Sequence, residues 1–209
     1  GTSARFKRDG KMQQSALIKI LRVEVKRLQE LAYKDELTSL FNRRGFSEEA
    51  KKFLSEIAAF KKHPERRENF IIKNFSVIVF DVDNFKKLND AHGHQAGDEA
   101  LRHFGRIIAE SVRDIDLAAR WGGEEVVLGL VGASENNAFR IAESIRKKLM
   151  HTPAVWKRKK IYVTVSGGVA GFDRADTFDE LFRLADRALY LAKKNGKNMV
   201  IQARDLSKR

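Results

Sequence analysis

Met12 to Ala32 runs without glycine or proline, and Leu17, Leu21, Leu28 and Leu31 recur at helical spacing, with Glu24 in the intervening seam position. The pattern predicts a helix with a short heptad seam, fit to align two copies of the chain in parallel or to lie along its own domain. Gly45 to Lys62 predicts a second helix with Phe46, Phe53, Leu54, Ile57 and Phe60 inward, and His63 to Asn74 a loop. Phe75–Phe80 is an apolar, β-branched strand that opens directly into Asp81-Val-Asp83. Phe85–Asp90 suits a short helix, His92–Gly97 a loop, and Asp98–Val112 a helix with Leu101, Phe104, Ile107 and Ile108 on one face. A strand at Leu117–Arg120, a turn, a strand to Val131, a helix over 136–150, a strand over 161–170, a helix over 178–194 and a closing strand at 199–202 complete the chain. Such alternation predicts one α/β domain with helices against a central sheet.

The chemistry concentrates in two acidic turns. Arg120-Trp-Gly-Gly-Glu-Glu-Val-Val-Leu-Gly-Leu130 places Glu124 and Glu125 where a buried strand begins. Adjacent side chains there point to opposite faces. Asp81 leaves its own apolar run directly, whereas Asp83 reads equally well as the cap of the helix after it. If the two strands are neighbours, Asp81, Glu124 and the Val82 carbonyl form an oxygen set open on one side. That donor set suits magnesium shared with phosphates, and hence phosphoryl or nucleotidyl transfer.

Composition narrows the partners. The 209 residues hold no cysteine, so a thiolate metal site and a disulfide framework are excluded. His92 and His94 flank a glycine without a third ligand, and no metal is assigned to them. No apolar run reaches the roughly 20 residues of a membrane span. A formal net charge of +13 calls for an anionic partner. Its clusters at Arg5–Lys11, Lys61–Arg67 and Lys157–Lys160 lack the aromatic interleaving of a nucleic-acid site, and no nucleic-acid partner is expected.

Five motifs in order, Asp35-x-Leu-Thr-x-Leu-x-Asn-Arg-Arg44, Asp81-x-Asp-x-Phe-Lys-x-x-Asn-Asp90, Gly93-His-x-x-Gly-Asp98, Arg120-Trp-Gly-Gly-Glu-Glu125 and Ala185-Asp-x-Ala-Leu-Tyr-x-Ala-Lys-x-x-Gly-Lys-Asn198, resemble the GGDEF domains of bacterial diguanylate cyclases. The resemblance implies a palm-like nucleotidyl cyclase fold of α/β (α+β) class, with a mainly antiparallel sheet flanked by helices and an N-terminal helical extension. It divides the chain into a tag remnant and signalling helix over 1–34, a catalytic domain over 35–204 and a tail over 205–209. It implies condensation of two GTP into cyclic di-GMP and two pyrophosphates across a homodimer, with Mg²⁺, or Mn²⁺ in its place, held by Asp81, the Val82 carbonyl and Glu124. Glu124 and Glu125 would be catalytic, Asn89 and Asp98 would read guanine, and Lys86, Lys193 and Lys197 would meet substrate. Asp98 also fits a helix cap.

Arg113 and Asp116 match the family's product site, at which cyclic di-GMP would inhibit. The arginine that completes that site in the family is here Ser144, with Arg140 and Arg146 nearby. Further expectations are a cytoplasmic domain, with membrane anchoring of a longer protein left open, and an N-terminal sensor domain missing from this chain. The competing readings are a catalytically silent module that binds GTP or cyclic di-GMP and signals to a partner, and a basic nucleic-acid-binding domain.

Overall fold

A computed structural model describes residues 2–62, 74–175 and 177–208. The loop read at His63–Asn74 falls, up to residue 73, outside the described residues, as do the basic cluster at 61–67 and the side chains of Phe60 and of Arg5–Lys11. The chain forms two compact units, residues 1–34 and 35–209.

The first unit is one helix, α1 (Thr2–Tyr33). Leu17, Leu21, Leu28 and Leu31 are all exposed, together with Ile18, Ile20, Val23 and Val25. Glu24, in the seam, is paired with Arg27 at 2.9 Å.

In the second unit the elements run β1 (Phe41–Asn42), α2 (Arg43–Lys62), β2 (Phe75–Val82), α3 (Phe85–His92), α4 (His94–Ala109), β3 (Leu117–Arg120), β4 (Glu125–Val131), α5 (Glu135–His151), β5 (Ala154–Trp156), β6 (Lys159–Ile161), β7 (Val165–Gly171), α6 (Phe178–Lys194) and β8 (Val200–Gln202). Short 3₁₀ turns cover Phe172–Arg174 and Ala203–Lys208. Six strands form one sheet in the order β1-β3-β4-β2-β7-β8, and β5 and β6 form a separate hairpin. The three central pairings, β3–β4, β4–β2 and β2–β7, are antiparallel, and the two outer ones are parallel. The fold is thus the mixed α+β sheet between helices that the resemblance implies.

β2 explains the sandwich. All of its residues are buried, because both faces of the sheet are covered, and its sequence is correspondingly an almost unbroken apolar run. Phe75, Val77 and Val79 face one core with Phe46 of α2 and Leu181, Ala185 and Leu189 of α6. Ile78, Phe80 and Val82 face the other core with Phe104 and Ile108 of α4 and Ile145 and Leu149 of α5. α6 lies so close to β7 that a Cβ on Gly168 would collide with the backbone of Ala185 and Leu189.

Three local expectations change. α4 begins at His94, so Asp98 lies inside the helix and is not its cap. The reason is Gly93, which at φ 85° turns the chain between two helices and accepts from Ala96 and Gly97 N–H at 3.0 and 3.3 Å. Asp83 does not cap α3 either, since the residue before that helix is Asn84, left-handed at φ 57° and without a side-chain cap bond. Finally, the strand read over 161–170 is two elements. Lys157 and Arg158 turn β6 back onto β5, and Thr164 then leaves the hairpin to meet Asp83.

Candidate active site

β2 and β4 are adjacent and antiparallel, and their register sets Asp81 directly opposite Glu125. One residue on, Val82 N–H donates to the Glu124 carbonyl at 3.3 Å, so both acidic turns meet at one edge of the sheet. The sequence reading set Asp81 and Glu124 at one oxygen site with Glu125 beside them; in the register Glu125 is the cross-strand neighbour of Asp81, and Glu124 precedes it in the turn.

The turn itself is braced from several sides. Trp121 N–H donates to the Glu125 carbonyl at 2.8 Å, and a Cβ on Gly122 would come within 2.9 Å of Glu125 Oε2. The Arg120 guanidinium donates twice to the Gly123 carbonyl, at 3.1 and 2.8 Å, and pairs with Asp35 at 3.2 Å. Asp35 also accepts from the Thr38 amide and hydroxyl, at 2.8 and 2.7 Å. The first and fourth sequence motifs are therefore one structural unit. Trp121 stacks on Phe182 at 5.1 Å and carries the Arg43 guanidinium 4.8 Å over its ring, which anchors the turn to α6 and α2.

Like charges placed directly across strands repel. Burial, and then Asp81, push Glu124 and Glu125 above the ordinary glutamate range. Asp81 is likewise raised, chiefly by burial, against the opposing pull of Lys193. Lys193 Nζ sits 2.7 Å from Asp81 Oδ2, a cation already at the crowded carboxylates. Among the described residues no three acidic or imidazole side chains stand as a ready metal cage. Magnesium does not need one: it uses one or two carboxylates and completes its shell with water and phosphate oxygens. An all-oxygen set of crowded, half-buried carboxylates with raised proton affinity fits such an ion.

A second group lies at the α3–α4 corner. Asn89 Oδ1 is buried without a hydrogen-bond partner, and a Cβ on Gly97 would run into it. Asp98 follows Gly97, half-buried in the first turns of α4. An orphaned buried carbonyl beside a half-buried carboxylate is a place for a ligand with N–H donors.

The two lysines bracket the end of α6. Lys193 is in its last turn, and Lys197, left-handed at φ 66°, follows Gly196 and donates to Asn84 Oδ1 at 2.6 Å. Lys86 is exposed on α3.

Sequence reasoning missed what holds Lys197. The buried Asp83 carboxylate accepts from Thr164 Oγ1 at 2.7 Å, Ser166 Oγ at 2.6 Å and Asn198 N–H at 2.9 Å. Arg146, bound to Glu143, donates to Asn198 Oδ1 at 2.8 Å. Arg146 is thereby committed away from Arg113. At the Arg113 site the guanidinium clasps Asp116 through Nε at 3.1 Å and Nη2 at 2.9 Å, and Nη2 also donates to the Val131 carbonyl at 2.6 Å. Asp116 accepts in addition from Arg113 and Val131 N–H, both at 3.0 Å, so the Asp116 carboxylate, nearly inaccessible, is a structural tie beneath an exposed arginine. Ser144 and Arg140 are exposed on α5.

The comparisons with known proteins fall in line with this arrangement. The family described as "Diguanylate cyclase, GGDEF domain" matches residues 32–199. The chain belongs to that family. It is 37% identical over 175 residues to the response regulator PleD of Caulobacter vibrioides, covering 82% of this chain and 36% of PleD. To the diguanylate cyclase DosC of Escherichia coli it is 38% identical over 170 residues, covering 79% and 34%. The chain thus spans about a third of the length of these curated relatives. The crystal structure of the coiled coil and GGDEF domain of DgcB from Caulobacter crescentus, in complex with c-di-GMP, superposes with a TM-score of 0.77 at 26% identity, covering 91% of this chain and 95% of that one.

Proposed function

We propose that this protein is a diguanylate cyclase that joins two GTP molecules into cyclic di-GMP, releasing two pyrophosphates, with Mg²⁺ or Mn²⁺ at the sheet edge and two protomers contributing one nucleotide each. The observation that carries the reading is that Asp81, Glu124 and Glu125, raised in proton affinity, lie at one edge with Lys193 against Asp81, while the unpartnered Asn89 carbonyl and the half-buried Asp98 stand together at the α3–α4 corner as acceptors for a base.

In this reading the guanine sits at the α3–α4 corner. Asp98 accepts from its N1–H and N2–H, a donor pair adenine does not present, and Asn89 Oδ1 gains the donor it lacks. Lys193 and Lys197 hold the triphosphate. Asp81, the Val82 carbonyl and Glu124 hold the metal, whose contribution is to neutralise charge on the phosphates and lower the barrier to displacement at phosphorus. Glu124 takes the proton of the attacking 3′-hydroxyl. Glu125 completes the negative end of the site opposite Asp81. The rest of the catalysis is placement of two nucleotides in line. The α1 seam of exposed leucines aligns two protomers, and Arg113 takes the product's phosphate or guanine edge from its exposed side.

The test is incubation of concentrated protein with GTP and magnesium, with chromatographic identification of products and Glu124→Gln alongside. Cyclic di-GMP and pyrophosphate from the wild type alone are expected. GTP binding without product at any protein concentration would replace the enzyme reading by a nucleotide-sensing module.

A further inference from the structure

The hairpin of β5 and β6 stands outside the main sheet and takes no part in the site above. Its turn is a two-residue connection, Lys157-Arg158, between Trp156 and its strand partner Lys159. Both turn residues are left-handed, at φ 47° and 66°. A turn of this kind favours Asn-Gly or Asp-Gly, because most residues with a Cβ are strained in that region. Lys-Arg here sacrifices local stability, and Lys159 and Lys160 extend the run to four consecutive cations, all exposed.

The pleat sorts what surrounds them. Ala154 pairs with Ile161, both buried, and fixes the inner face. Val155 pairs with Lys160 on the outer face, and Tyr162 follows two residues after Lys160. Val155 and Tyr162 are 60% and 61% exposed, two of the four large apolar side chains left in water among the described residues of the second unit, with Ile115 and Tyr190. Lys157 Nζ lies 5.4 Å over the Trp156 ring. Beside the hairpin, a groove of about 350 Å³ runs between β6 and α3, edged by Lys87, His92, Lys160 and Tyr162. The Asp83 carboxylate also lines the groove, hydrogen-bonded by Thr164, Ser166 and Asn198, and is outnumbered there by Lys87 and Lys160.

We infer that the β5–β6 hairpin is a docking element for an anionic lipid surface, with its basic turn against the headgroup phosphates and Val155 and Tyr162 at the headgroup–acyl boundary. Three features select a bilayer over nucleic acid. Two of the four cations sit on the two-residue tip and two on β6, without the row of stacking rings along a groove by which single-stranded nucleic acid is tracked. The aliphatic Val155 gains from entering an apolar boundary and gains little against a phosphodiester chain. The amphipathic ring of Tyr162 beside lysines is the composition of a membrane–water interface. Each lysine or arginine near such a surface strengthens binding by about 1 kcal/mol, or about fivefold, and the attraction falls within a Debye length. The attachment is therefore reversible and sensitive to salt.

The test uses the whole chain in sedimentation with vesicles of phosphatidylcholine alone and with about one-third phosphatidylglycerol, at low and high salt. Lys157→Asn/Arg158→Gly installs the residues the turn prefers, removing two charges while relieving the backbone. Other basic segments set a background, so the readout is the difference between wild type and variant. The variant should bind anionic vesicles roughly 25-fold more weakly, from about fivefold per charge, with thermal stability equal or higher and basal cyclase activity unchanged. Equal binding by both proteins, equal binding to neutral and anionic vesicles, or no vesicle binding at low salt would each overturn the inference. So would tighter binding to an oligonucleotide that the same variant abolishes, which would assign the hairpin to nucleic acid.

Discussion

Lys193 and Asp81 form an ion pair, Nζ to Oδ2 at 2.7 Å, at the place where the proposed reaction requires a metal. The ammonium is the resident counterion of the crowded carboxylates, and a divalent ion that takes Asp81 Oδ2 as a ligand has to displace it. Once displaced, Lys193 is free to turn to the incoming phosphates. Lys193→Met should therefore bind Mn²⁺ more tightly than wild type in the absence of nucleotide, by about five- to tenfold given the partial solvent screening of the pair. It should at the same time weaken binding of the GTP–metal complex. Calorimetric titration of metal alone and of nucleotide separates the two, and an unchanged metal affinity would show that the pair does not guard the site.

The same carboxylates predict a pH dependence. Asp81, Glu124 and Glu125 all have proton affinities above their ordinary values of 3.8, 4.5 and 4.5, with burial the largest cause for each. The ionised forms hold the cation, so metal binding and turnover should fall on acidification at a pH above the usual carboxylate range. Metal-free stability should respond in the opposite sense. A group whose folded-state value is raised binds its proton more tightly when folded, so stability rises as pH falls through that value toward the unfolded one, and is lost again as pH rises. Glu124→Gln should remove part of this slope in metal-free thermal unfolding while lowering turnover by about 10²–10⁴-fold. A metal-free melting temperature insensitive to pH between about 4 and 7 would contradict the assignment.

How much of this was legible in the chain depends on whether the signal was local. The apolar run of β2 and the Gly-Gly-Glu-Glu turn each announce an element, and the order of motifs gave the family and the fold. Asp83 was misread because a carboxylate before a helix looks like a cap, whereas its partners Thr164, Ser166 and Asn198 lie more than 80 residues away. The union of Asp35 with Arg120 is invisible for the same reason, being 85 residues apart in sequence. The hairpin escaped because Lys157-Arg158 is not turn chemistry: nothing local tells that two cations will adopt positive φ. Asp98 was set too early in its helix because Gly93, which does the turning, allows α4 to begin at once.

Asp83 gives a prediction about a residue that touches no substrate. Its Oδ2 holds the Asn198 amide directly after Lys197, and both of those residues are left-handed. Asp83→Ala would leave the Asn198 amide and two hydroxyls without their acceptor and should cost about 2–4 kcal/mol of stability. The turn would lose its aim, so KM for GTP should rise with a smaller effect on kcat. Asp83→Asn can still accept from Asn198 N–H while its amide donates to a hydroxyl turned around, and should restore most of the affinity. Equal KM values for wild type and Asp83→Ala would make the carboxylate purely structural.

Gly97 tests the base recess without touching a polar group. It lies within α4 at ordinary helical φ, so alanine there is favoured by the backbone by about 1 kcal/mol. The obstacle is steric: the new methyl would strike the Asn89 amide and come within 3.0 Å of the Phe85 ring. Asn89 can give way only by moving Oδ1 out of the place it now occupies, without a hydrogen-bond partner, against Gly97. Gly97→Ala should therefore keep its fold, since the gain in helix propensity offsets part of the clash, yet lose the guanine contact. Affinity for GTP should drop at least about tenfold, the loss of one net polar contact of ~1.4 kcal/mol. Affinity for ATP, which cannot use that contact, should change far less, so the ratio of the two separates a damaged base recess from a damaged phosphate site. A Gly97→Ala protein that still prefers GTP over ATP as strongly as wild type would place guanine recognition somewhere other than the α3–α4 corner.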